Sequence, residues 1–410
     1  MRMSTTLDRD AEVEKAKGRA PQPPVEEQAG RLKRTRESME RHEIDVLLLY
    51  GSSGSPEMTR YLAGYVHVFP GASSLLVIPL ERPPVLLIDQ PWHLEEAARM
   101  SWVEDVRQYP NPARRWLADE LHSTIRQAVQ TASAPSPRVG VFAGVMPSIY
   151  GDVLRDALPD AIYVEAIPVW EELVGSPSAY DGEMIRATAR VADAGFAAAV
   201  ETAGAGVTEY EVCFASLRAM ASLGAEFLHG SGVSTHINIG SFSDAISNVR
   251  PFLYSSEPLQ QGQMFWLDLS ASHAGYYTDS DRTISVGEPN DEQRRIYDAT
   301  TEIYRVMRSE ARAGITGGEL WERANRVVEE AGYAEYSNHI YLGHTTGITT
   351  SVRPVVAKGE TAELRAGSFL NIEPGIFVPG VGSACIEDTL YVTDDGASPI
   401  NEFGTEIHVV

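Results

Sequence analysis

The chain has 410 residues, enough for two cores rather than one. Its 34 basic against 57 acidic residues leave a net charge of −23, which repels nucleic acid and anionic membrane surfaces. No apolar run approaches the roughly 20 residues that cross a bilayer. The first residues lack the apolar centre of a signal peptide, and two cysteines, Cys213 and Cys385, are too few for a disulfide framework, so the cytoplasm is the expected compartment.

Residues 1–26 are polar and charged and end near PQPP, which predicts a flexible tail. EEQAGRLKRTRESMERHE then reads as a surface helix leading into the buried strand IDVLLLYG. SSLLVIPL and PPVLLID are short apolar runs bounded by proline and charge. RRWLADELHSTIRQAV is helix-like, and VGVFAGVM and AIYVEAIP add strands. Strands alternating with helices predict an α/β domain over 27–165. No GxGxxG, P-loop or internal repeat stands in the chain.

A second domain is expected over 166–410. A long helix is predicted from Ser178 to about Thr202, then Thr208 as the cap of a helix with Glu211 at its third position and Gly224 closing it. FWLDLSAS and YYTDSDRTISV are β-rich runs around His273-Ala274-Gly275, a hairpin that would set Asp268 and Asp279 nearly opposite each other. DEQRRIYDATTEIYRVMRSEARAG and TGGELWERANRVVEEAG supply two more helices. SFLNIE ends on Glu373 before the turn Pro374-Gly375, and Glu387 opens the strand run TLYVT.

Asp268, Asp279, His344, Glu373 and Glu387 carry the chemistry. Four carboxylates and an imidazole brought to one point could not stay ionised without cations, because unpaired buried charge is costly. Oxygen ligands with a single nitrogen suit Mn²⁺, Co²⁺, Fe²⁺ or Zn²⁺, and the set suits two divalent ions bridged by carboxylates.

From about residue 165 onward the chain resembles the pita-bread metalloenzymes: Xaa-Pro aminopeptidases, prolidases, methionine aminopeptidases and creatinase. The resemblance rests on Asp268, then Gly275-Tyr276-Tyr277-Thr278-Asp279 with Arg282-Thr283 eleven residues on, then Gly343-His344, Glu373-Pro374-Gly375 and Glu387-Asp388. Leu259-Gln-Gln-Gly262 fits the lead-in to the first strand, and residues 27–165 resemble a creatinase-type N-terminal domain. The resemblance implies an α+β pita-bread catalytic domain, the five residues as metal ligands, Glu373 as general base, His344 kept as a ligand, and a homodimer acting on a small molecule.

The chain also departs from the family pattern. Ser351 and Val352 stand where peptidases usually carry histidine and glutamate, and Cys385 where they carry arginine. His236, Arg250 and His339 are weaker candidates for contacting substrate; His229 is a further nearby histidine, and Cys385 reads as a small packing residue. The expected activity is metal-dependent hydrolysis of a C–N bond in a dipeptide or amino-acid derivative, Xaa-Pro peptidase-like. The alternative is a lyase or other small-molecule conversion on the same scaffold, and a non-enzymatic binding protein is the third reading.

Overall fold

The computed structural model describes residues 22–67, 71–112, 118–129, 136–227, 235–240, 256–338 and 340–410. Two compact units divide it, one over 23–177 and the other over 178–227 with 235–410.

In the first unit, helix α1 (Val25–Arg41) precedes strand β1 (Val46–Ser52). Helix α2 (Glu57–Ala63), strands β2 (Ser73–Pro79) and β3 (Val85–Ile88), helix α3 (Leu94–Met100) and strand β4 (Asp105–Gln108) follow. Helix α4 (Ala118–Val129), strand β5 (Arg138–Val141), helix α5 (Ser148–Ala157), strand β6 (Ile162–Glu165) and helix α6 (Ile167–Val174) complete it. The six strands form one mixed sheet in the order β4-β3-β2-β1-β5-β6, with β1 antiparallel to β2 and parallel to β5. Strands β2 and β3 are buried along their whole length, as near-continuous apolar runs require. Leu121, Ile125, Tyr150 and Leu154 from α4 and α5 pack with Val46, Leu48, Leu75 and Val77 of the sheet.

This unit extends past the expected boundary at 165. Helix α6 buries Val169, Trp170, Leu173 and Val174. Its Glu172 accepts hydrogen bonds from Ser38 at 2.6 Å and from Arg41 of α1. That packing keeps residues 166–177 with the first unit, and the division falls after Pro177.

In the second unit, helices α7 (Ala179–Thr202) and α8 (Glu209–Ser222) lead to strands β7 (His236–Gly240) and β8 (Met264–His273). Strands β9 (Tyr276–Thr278) and β10 (Asp281–Ser285) precede helices α9 (Asp291–Glu310) and α10 (Gly317–Ala331). After them come β11 (Tyr341–Thr346), β12 (Val352–Ala357), β13 (Phe369–Ile372) and β14 (Gly375–Val378). The last strands are β15 (Gly382–Cys385), β16 (Asp388–Val392), β17 (Ala397–Pro399) and β18 (His408–Val409). All four helices begin in a reciprocal capping box: Ser178/Asp181, Thr208/Glu211, Asn290/Gln293 and Thr316/Glu319. Each such cap satisfies backbone donors that the helix itself cannot, worth about 1 kcal/mol.

One sheet runs β18-β10-β8-β7 with β9 paired to β8; the other runs β12-β11-β13-β16-β17. Helices α7 and α8 close one core over the first sheet through Phe196, Val212, Phe265 and Leu267. Helices α9 and α10 close another over the second through Ile303, Trp321, Leu342 and Leu370. A helix pair over a sheet, twice over, is the pita-bread arrangement. The sheets join where Asp281 and Glu387 exchange backbone hydrogen bonds of 3.2 Å in both directions. Arg282, fully buried, locks the joint: its guanidinium donates to the carbonyls of Asp281 and Glu387 and pairs with Asp388 at 2.8 Å.

The first hairpin turns at Ala274-Gly275, both with positive φ (54° and 85°), which a two-residue turn between twisted strands requires. Its register departs from expectation. His273 pairs Tyr276 and Ala271 pairs Thr278, so the residue opposite Asp268 is Asp281, not Asp279. Ladder pairing lapses between β9 and β10, where the Ser280 carbonyl accepts from the Leu269 amide at 2.8 Å.

Candidate metal centre

The joint between the sheets is also where the acidic residues converge. Ligand atoms of Asp279, His344 and Glu387 lie within 4.8 Å of one another, and so do those of Asp268, Asp281 and Glu387. Glu373 joins the group through Oε1, 3.8 Å from Nε2 of His344. Strands β8 and β10 carry Asp268 and Asp281 side by side; β11 carries His344; Glu373 follows β13 and Glu387 precedes β16. His344 stands opposite Asn371 on β13, and a Cβ on the preceding Gly343 would fall 2.1 Å from the Asn371 carbonyl oxygen. The Gly-His pair therefore exists because the two strands approach too closely for any side chain.

Neighbouring groups hold these side chains in place. The Ser270 hydroxyl donates to Oδ1 of Asp279 at 2.8 Å and the Tyr277 hydroxyl to Oδ2 at 2.9 Å. Tyr277 thus does more than pack the strand. The other ring, Tyr276, donates to Asp181 at 2.6 Å. Asn371 sets its amide 3.4 Å from Nε2 of His344 while its Oδ1 accepts from Thr389 at 2.6 Å. The Asn338 amide donates to the Glu373 carbonyl at 2.8 Å and accepts from the Gly375 amide at 2.8 Å, pinning the turn that aims Glu373.

The electrostatics are those of charge crowded out of water. Burial, then Asp279, Asp281, Glu373 and Asp268, pushes Glu387 well above the ordinary carboxylate range. Burial with Asp281 and Asp279 does the same to Glu373, and burial pushes Asp281 up to about 8. Burial lowers His344, against the opposing charge of Asp279, and so favours the neutral imidazole that a cation needs. Oδ1 of Asp281, Oε1 of Glu373 and Oε1 of Glu387 are buried and accept no hydrogen bond from described residues. Buried carboxylate oxygens left without a donor are what divalent cations would satisfy, and the donor set, oxygen with one nitrogen, fits such ions.

Asp281, Asn371, Asn338, Ser270 and Tyr277 were missed in the sequence. A signal for Asp281 was present: Asp279 and Asp281 alternate, and a strand puts alternate residues on one face. Arg250, His339 and His229 lie outside the described residues. His236 opens β7 with its backbone opposite Ser270, and its side chain also lies outside them. Ser351 is exposed and its hydroxyl lies 3.0 Å from that of Tyr341, whose ring stacks on His344 at 6.0 Å between centroids. Cys385 is buried with its thiol 3.4 Å from the Pro374 carbonyl, and burial holds it well above its ordinary pKa, so it packs as a neutral thiol.

A sequence model of metallopeptidase family M24 matches residues 183–394, and one of the creatinase/prolidase N-terminal domain matches residues 31–173. The chain belongs to metallopeptidase family M24. Among M24 relatives, the Xaa-Pro dipeptidase of Pyrococcus horikoshii is 36% identical over 153 residues, 37% of this chain and 43% of that one. The Xaa-Pro dipeptidase of Pyrococcus furiosus is 32% identical over 225 residues, 55% of this chain and 62% of that one. The aligned stretches thus span less than two thirds of these relatives. In structure the match is longer. The prolidase from Pyrococcus horikoshii OT3 superposes with a TM-score of 0.75 at 26% identity, covering 92% of this chain and 99% of that one. The dipeptidase PepE from Mycobacterium ulcerans superposes at 0.79 and 25%, covering 95% and 100%. Among the described residues no helix is long and apolar enough to cross a membrane.

Proposed function

We propose that the second unit is a metal-dependent hydrolase of the C–N bond in a dipeptide, with Xaa-Pro dipeptides as the first substrate class. The observation that carries this reading is the convergence at one joint of Asp268, Asp279, His344, Glu373 and Glu387, two of them buried and three half-buried, within an M24 fold. The names of the relatives, Xaa-Pro dipeptidases, support the substrate class.

In this reading the five residues hold two divalent ions, with Mn²⁺ the first to offer. Bound ions would polarise the scissile carbonyl and acidify a water, the usual contributions of such centres. The rest falls to the protein. Glu387 is common to the two trios, Ser270 and Tyr277 keep Asp279 fixed, and His344 stays neutral. Glu373 has the side chain with more access to solvent of the His344–Glu373 pair, 24% against 8% exposed. That access suits a base that takes the proton of the attacking water and passes it to the leaving nitrogen. Tyr341, beside His344 and Ser351, lines the side on which the family pattern places its second histidine.

Activity of the metal-loaded chain on a panel of Xaa-Pro and other dipeptides tests the proposal. Glu373→Gln is expected to lower kcat by about 10²–10⁴-fold, the usual contribution of a proton-transferring side chain. A panel with no hydrolysis under any of Mn²⁺, Co²⁺, Fe²⁺ or Zn²⁺ would return a negative answer. The same reading includes a cytoplasmic homodimer, which light scattering checks as to assembly.

A further inference from the structure

Asp281 has no part in the ligand set read from the sequence, yet it occupies the middle of the joint. Its Cα pairs directly with Asp268 on one side, and it bridges Glu387 on the other. Its side chain is 4% exposed, with a carboxylate oxygen within 4.8 Å of ligand atoms of both Asp268 and Glu387. The Cys385 thiol hydrogen-bonds the carboxylate, while Oδ1 accepts nothing from any described residue. A carboxylate enclosed this completely, with an oxygen left unsatisfied, lacks the partner that offsets its desolvation.

The two close trios differ in chemistry. Asp279, His344 and Glu387 include a nitrogen; Asp268, Asp281 and Glu387 offer oxygen alone. Glu387 belongs to both. Imidazole suits Zn²⁺, Co²⁺ and Fe²⁺, whereas carboxylates alone suit harder cations such as Mn²⁺ and Mg²⁺.

We propose that Asp281 is a sixth protein ligand, completing with Asp268 and Glu387 an all-carboxylate subsite for a hard divalent cation beside the histidine-containing one. The inference rests on the metal reading of this centre. Asp281 then supplies the fifth carboxylate of the cluster, and its position opposite Asp268 makes the two subsites unequal in their choice of ion.

The test is ion uptake by the 410-residue chain, read by equilibrium dialysis and by electron paramagnetic resonance of Mn²⁺. Wild type, Asp281→Asn, Asp281→Ser and His344→Ala are compared with Mn²⁺ and with Zn²⁺. Both Asp281 variants are expected to bind one Mn²⁺ equivalent about tenfold or more weakly, the least expected when a group fixing a metal site is lost, and to keep Zn²⁺ at the subsite containing His344. His344→Ala should show the opposite preference. Without metal, both Asp281 variants should melt no lower than wild type, since removing a carboxylate relieves repulsion. Wild-type Mn²⁺ affinity in both variants would overturn this inference alone, as would a lowered metal-free melting temperature in both, which would mark Asp281 as structural. Wild type that takes up no ion would overturn the metal reading and this inference together.

Discussion

His67 shows how much a single residue's surroundings decide. It is 4% exposed, with Nε2 2.9 Å from the Ser74 hydroxyl and Nδ1 without a hydrogen-bond partner among described residues. Burial, aided by His93, lowers its pKa from an ordinary 6.5 to about 3. The folded chain therefore keeps it neutral where the unfolded chain takes up a proton. The sign follows: the stabilisation is fully present above 6.5 and is lost as pH falls toward 3, at about 1.4 kcal/mol per pH unit at most. Melting followed from pH 7 down to 4.5 should fall more steeply for wild type than for His67→Gln; parallel slopes would refute this account. Nothing in the sequence around His67 announced this, because a histidine's environment is assembled from β1, β2 and α2 rather than from its neighbours in the chain.

At the scale of elements, the second unit depends on how two sheets are joined. Arg282 on β10 reaches across to Asp388 on β16, and Tyr304 of α9 donates to the same carboxylate. Both charges are buried, at 0% and 3% side-chain exposure. Taking one away leaves the other uncompensated, a change that typically costs about 3–5 kcal/mol. Arg282→Met should therefore lose stability of that order in urea unfolding, and Arg282→Met with Asp388→Leu should recover part of it. A single variant as stable as wild type would show that the clamp contributes little. The helices were the most legible elements, since their capping boxes stand within four residues of sequence: Ser178/Asp181 and Thr208/Glu211 mark the starts that the chain then adopts. The hairpin was legible as a turn but not in register. The two-residue turn at Ala274-Gly275 pairs His273 with Tyr276, and the same register runs on to place Asp281 rather than Asp279 opposite Asp268.

At the scale of the molecule, each unit has its own core, and the carboxylate cluster belongs to the second unit alone. Ions that bind the folded cluster and not the unfolded chain stabilise it by mass action, about 2.7 kcal/mol at a free concentration one hundred times Kd. Calorimetry should thus find that Mn²⁺ raises one thermal transition, that a chelator reverses the shift, and that Glu387→Ala abolishes it. A melting profile indifferent to every ion offered would leave the cluster as a set of shared protons. The sequence by itself determined the two-domain architecture, the family and the candidate ligands Asp268, Asp279, His344, Glu373 and Glu387, because spaced acidic residues with Gly-His and Glu-Pro-Gly turns are local patterns. The division after Pro177 and not at 165 required the tertiary structure, because the side of the boundary on which α6 falls is settled by its packing on α1. So did the place of Asp281 beside Asp268 and Glu387, and the hold of Ser270 and Tyr277 on Asp279. Those are contacts between strands, set by the register of the hairpin and, for Glu387, by a segment far away in the chain.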